Sequence, residues 1–96
     1  MQKNVASQKV AVYVYDIIAN APETGDAANI TAYISKDGGA AVVSNDANPS
    51  EISAANMPGI YVFDLLQAET NCDLFIISAT SATADIRIDP VFLYTV

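Results

Sequence analysis

Hydrophobic and polar residues alternate along most of this chain, and the alternation divides it into short strands. From Gln8 to Asp16, Val10, Val12 and Val14 fall on one side and Lys9, Ala11, Tyr13 and Tyr15 on the other. The valines are the predicted inner face. Between residues 29 and 35, Ile30, Ala32 and Ile34 repeat the pattern. Lys36-Asp37-Gly38-Gly39 is the clearest hairpin signal, because Asp-Gly and Gly-Gly pairs accept the positive φ of tight two-residue turns. A strand over 40–44 should fold straight back from it. Glu51-Ile52-Ser53 is long enough for a short edge strand.

Met57-Pro58-Gly59 then launches the stretch around which the rest is organised, a strand predicted to start not much earlier than Ile60 and to run to Leu65. Apolar residues stand on both faces of 60–65 and of the following strand, 74–77, as expected for central strands. The corner Gln67-Ala68-Glu69-Thr70-Asn71 is too short and polar for more than one helical turn. Ser78 to Thr83 reads as a small-residue turn. In the last segment, 85–96, simple alternation puts Ile86, Ile88, Phe92 and Tyr94 on one face, with Pro90 marking an edge or a bulge.

About seven strands and no segment of helical period predict an all-β, two-layer sandwich, with a small barrel or jelly roll as the alternative. The predicted core is Val10, Val12, Val14, Ile30, Ile34, Val62, Phe63, Phe75 and Ile77. Residues 1–7 are polar, without period, and are expected to form an arm on a single domain, 8–96.

Composition narrows the chemistry. The chain has 96 residues, 52% hydrophobic and 16% charged, with a net charge of -7 from 4 Lys and Arg against 11 Asp and Glu. Such a surface lacks the clustered cations that hold a phosphate backbone, so nucleic acid is not an expected partner. Val10 to Ile18 alternates and contains Asp16, unlike the apolar core of a signal peptide, and no apolar run is long enough to span a bilayer. A soluble protein made without a signal peptide, and no membrane partner, is expected.

No histidine is present, which removes the commonest general base and imidazole ligand together. One cysteine, Cys72, excludes an intramolecular disulfide and is expected as a small buried hydrophobe. Most carboxylates fall in turns, where Asp26, Asp37, Asp46, Asp73 and Asp85 favour Asx geometry. Asp64 differs, since it shares a face with Ile60 and Val62 and would need a partner such as Arg87 if buried. Asn45 to Glu51 spaces oxygen ligands at alternate positions but lacks the glycine and the bidentate glutamate spacing of an EF-hand calcium loop, leaving Asp46 and Glu51 as minor metal candidates. No serine has an activating neighbour. The expectation is a protein without enzymatic activity, cofactor or obligatory metal. Tyr13, Tyr15, Tyr33, Tyr61 and Tyr94 are interface candidates, because tyrosine is enriched where proteins meet.

The segments Lys3-Asn4-Val5-Ala6, Thr24 to Ala32, Ser35 to Gly39, and Gly59-x-Tyr61-x-Phe63-Asp64-Leu65-x-Gln67-Ala68-Glu69-Thr70-Asn71 resemble small virion proteins of tailed bacteriophages and prophages. The resemblance extends over nearly the whole chain. It implies an immunoglobulin-like sandwich and a structural role on the particle. With no fibre repeat or second domain following the last strand, the expected role is that of a capsid decoration or cement protein located in the virion. It would be homo-oligomeric and held to the major capsid protein or to tail proteins. A tail or baseplate accessory subunit is the runner-up, and a module binding host-surface carbohydrate is the alternative from another class. Interface residues are expected at Met1, Gln2, Lys3, Asn4 and Val5 of the arm and at Tyr13, Tyr15, Tyr33 and Tyr94. Deleting the arm is expected to leave a folded domain that no longer binds.

Overall fold

A computed structural model describes every residue, Met1 to Val96, and contains two antiparallel sheets packed face to face. The strands are β1 (Gln8–Asp16), β2 (Ala21–Pro22), β3 (Ile30–Lys36), β4 (Val42–Val43), β5 (Ser50–Ser53), β6 (Met57–Leu65), β7 (Leu74–Ser81), β8 (Ile86–Ile88) and β9 (Val91–Tyr94). Single 3₁₀ turns occupy Ala27–Asn29 and Gln67–Thr70, the latter being the predicted one-turn corner. One sheet has the order β2-β1-β6-β5, with β8 also paired to β1; the other is β4-β3-β7-β9. Pairing β1 with β6 and β6 with β5 in one layer, and β4, β3, β7 and β9 in the other, reproduces the strand neighbours of an immunoglobulin sandwich.

The inner faces follow from alternation. Val10, Val12, Val14, Tyr61, Phe63 and Leu65 come from the first sheet and Ile30, Ala32, Ile34, Phe75, Ile77 and Ala79 from the second, with Cys72 beside them. The hairpin at Lys36 to Gly39 forms as expected. Asp37 and Gly38 both have positive φ, and the Gly39 amide donates to the Lys36 carbonyl at 2.9 Å. The returning strand is shorter than 40–44, only Val42–Val43.

Four expectations are corrected. First, β6 begins at Met57, because β1 leaves its side at Ile60 and Pro58, lacking an amide, sits where β6 is paired on one side only. Second, the inward residues of β6 are Tyr61, Phe63 and Leu65; Val62 is half-buried on the outer face, and Tyr61, a surface candidate, is fully buried. Third, Ser78 to Ser81 is strand rather than turn, since Ala79 continues the buried alternation and pairs opposite Ala32. Fourth, Asp89-Pro90 divides the last segment between the sheets. Ile86 and Ile88 are half-buried beside β1, whereas Val91 and Leu93 lean on the core from β9, so Phe92 and Tyr94 point outward.

Candidate functional site

The arm is sewn to its own domain. The Val96 amide donates to the Met1 carbonyl at 2.9 Å and the Lys3 amide to the Val96 carbonyl at 3.0 Å, the bond pattern of a parallel bridge. The Asn4 amide donates to the Thr70 carbonyl at 3.0 Å, and the Val5 amide to the Thr70 Oγ1 at 3.0 Å. That hydroxyl is buried in the corner before β7, within 2.9 Å of the Val5 carbonyl and 3.0 Å of the Gln67 carbonyl as acceptors. Gln8 Nε2 donates to the carbonyls of Gln2 and Val5, and Lys3 Nζ pairs with Asp73 at 2.9 Å. Met1 packs against the core. Residues 1–3 therefore carry the pairing of the second sheet past the end of β9, and deleting residues 1–5 would strip Thr70 of its Asn4 and Val5 partners, leaving only Gln67 and the Cys72 amide.

The four interface tyrosines lie on opposite sides of the sandwich. Tyr33 on β3 and Tyr94 on β9 belong to the outer face of the second sheet, with Tyr33 opposite Ser78 and Tyr94 opposite Leu74 on β7. Ser35, Ile76 and Phe92 form the row between them. None of the outward residues of β3, β7 and β9 is charged: they are Thr31, Tyr33 and Ser35, then Leu74, Ile76, Ser78 and Thr80, then Phe92 and Tyr94. Tyr33, Phe92 and Tyr94 are 55%, 62% and 76% exposed. In a chain with 16% of its residues charged, an uncharged aromatic sheet face is a departure from what a solvated surface requires.

The outer face of the first sheet has a different character. Lys9 pairs with Asp64 across β1 and β6, and Arg87 Nε pairs with Asp89 at 3.0 Å on and just beyond β8. Asp64 is exposed and needs no Arg87 partner. Tyr13 and Tyr15 line a shallow cleft of about 290 Å³ with Arg87 and Asp89, their ring centres 5.9 Å apart and tilted by 43°. The Tyr15 hydroxyl donates to Asn20 Oδ1.

The carboxylates bind the protein's own backbone. Asp46 accepts from the Asp64 amide at 2.8 Å, while Glu51 accepts from the amides of Gly25 and Gly59 at 2.9 and 3.2 Å. Asp64 and Gly59 are five residues apart on β6, roughly 17 Å at strand rise. The two minor metal candidates are thus turned to different ends of one strand, and no three of the acidic or cysteine side chains converge. Asp37 accepts from the amides of Asp73 and Leu74, both at 2.9 Å, which lowers its pKa.

Asp26 is the one buried carboxylate. Burial pushes its pKa up, but donors at Ser81 Oγ (2.5 Å), Thr83 Oγ1 (2.6 Å) and Asn29 Nδ2 (3.0 Å) outweigh this and hold it below the usual value. Its own amide donates to the Tyr61 hydroxyl, which donates in turn to the Glu23 carbonyl at 2.8 Å. Burial and the neighbouring Asp26 raise the Glu23 pKa. This network ties the loop before β3 to the end of β7. Cys72 is buried against the core, as a small hydrophobe is, with its thiol pushed up by desolvation.

No family model, characterised protein or solved structure matches this chain. No helix is long and apolar enough to cross a membrane. Sequence reasoning named Tyr33 and Tyr94 as candidates and put Phe92 on the face of Tyr94, but it did not place Leu74 and Ile76 beside them. The signal was the parity of 74–77: once Phe75 and Ile77 are inward, Leu74 and Ile76 must face out.

Proposed function

We propose that this protein is a structural subunit that works by contact, a decoration or cement protein of a tailed-bacteriophage particle. In this reading it seats the outer face of the β4-β3-β7-β9 sheet on a neighbouring virion protein. The observation that carries the proposal is the absence of charge from that face in a chain of net charge -7. Taking an ionised group out of water is costly unless it is paired, so a surface without one is the surface most readily buried. Tyr33, Phe92 and Tyr94 supply the large side chains that dominate contact energies. The acidic remainder would keep free subunits apart and favour a partner with basic ground around the contact. The arm lies beyond the end of β9 and would border the same contact.

The phage assignment draws on the sequence resemblance. Copies repeating over a shell lattice would make the protein an oligomer in place, and the same face would serve a tail or baseplate accessory subunit. Cryo-microscopy of purified particles tests the reading. Density for the sandwich is expected at regular sites on the shell, with β3, β7 and β9 toward the capsid protein. Density confined to the tail would assign the accessory role, and absence from the particle would overturn the proposal.

A further inference from the structure

We propose that the cleft between Tyr13, Tyr15, Arg87 and Asp89 binds a neutral saccharide ring. It lies on the opposite sheet from the contact face above and does not depend on it.

Both rings are held in place. An added Cβ at Gly59 would come within 3.1 Å of Tyr13 Cε1, so the edge of the Tyr13 ring rests against that glycine. Tyr15 is fixed through its hydroxyl to Asn20. Because Tyr15 is opposite Arg87 in the β1 and β8 pairing, the guanidinium is set beside the rings by strand register rather than by a loop. Arg87 uses only Nε on Asp89 Oδ1, which leaves both Nη groups, Asp89 Oδ2 and the Tyr13 hydroxyl without a protein partner. Aromatic surface stands next to a fork of donors and an acceptor, and such a set-up costs little ordering on binding.

The charge and shape select the ligand class. Arg87 and Asp89 neutralise one another, so the cleft presents no net charge to an ion of either sign, and the net charge of -7 further opposes an anion. Two rings tilted by 43° give no parallel slot for a flat aromatic ligand, whereas they cradle a puckered ring whose C–H face rests on them. Its hydroxyls would accept from the Arg87 Nη groups and donate to Asp89 Oδ2. At about 290 Å³ the cleft takes one sugar residue, and its shallowness predicts millimolar affinity.

The test is a titration followed by amide NMR, using methyl glucoside, methyl galactoside and N-acetylglucosamine up to about 50 mM, enough to detect millimolar binding. At least one is expected to shift the amides of residues 13, 15, 20, 87 and 89. Arg87→Ala, on an exposed side chain, and Tyr13→Ala should each weaken binding at least about tenfold, as loss of a principal contact does. Tyr33→Ala, on the other sheet, should leave it unchanged. Should Tyr13→Ala unfold, Arg87→Ala alone decides. Absence of shifts with all three sugars, tighter binding of N-acetylneuraminate or adenosine than of any neutral sugar, or indifference to Arg87→Ala would overturn the proposal.

Discussion

Gly59 occupies a position no other residue can share. Its φ is +81°, and a Cβ there would lie 2.8 Å from both the Pro22 Cβ and the Val14 carbonyl oxygen. Gly59→Ala therefore combines backbone strain with a clash against main chain, and it should destabilise the fold by more than about 2 kcal/mol in urea denaturation. Asp26 gives a second residue-scale expectation. Its native pKa is lowered, so the stability it contributes is fully present above the ordinary aspartate value near pH 4 and disappears as the pH falls through the native value. Asp26→Asn should cost about 1 to 3 kcal/mol at neutral pH through its mispaired hydroxyl donors. It should also flatten the fall in stability below about pH 4, measured by denaturation at a series of pH values. Part of that fall will persist, because Asp37 is lowered too.

Between elements, the corner at Gln67–Thr70 and the arm stabilise one another. Thr70→Val keeps the shape but removes the hydroxyl that serves Val5, so a loss of about 1 to 3 kcal/mol is expected, with Thr70→Ser restoring most of it. Faster exchange of the amides of Asn4 and Val5 in the valine variant would show that the arm is released. None of this was legible in the sequence, where a polar arm and a distant threonine share no pattern. The positions of the strands were better marked: β1 and β3 show clean alternation, and the Asp37-Gly38 turn dictates its hairpin. The inner face of β6 was not, because Ile60 and Val62 match Tyr61 and Phe63 in hydrophobicity and alternation then cannot choose a side. At 78–81 the difficulty was the reverse, since Ser, Ala and Thr suit a turn as well as a strand. The uncharged face became visible only when pairing brought Tyr33, Ile76, Phe92 and Tyr94 together from three strands.

For the whole molecule, the two sheets divide the surface by polarity. The Lys9–Asp64 and Arg87–Asp89 pairs and the tyrosine cleft lie outside the first sheet, and uncharged aromatics lie outside the second. Phe92→Glu places a carboxylate in the middle of the proposed contact while leaving the core untouched. Its unfolding free energy should change by no more than about 1 kcal/mol, whereas binding to particles should fall by about 2 kcal/mol or more, roughly thirtyfold, in a co-sedimentation assay. Undiminished binding would remove this face from the contact. The division of the last segment has a mechanical consequence. Since β8 is hydrogen-bonded to β1 and β9 to β7, with only Asp89 and Pro90 between them, one short piece of chain is riveted to both layers. Under load the layers cannot part like two cards, because the rivet must shear first, and a single pulled molecule should give way in one abrupt step.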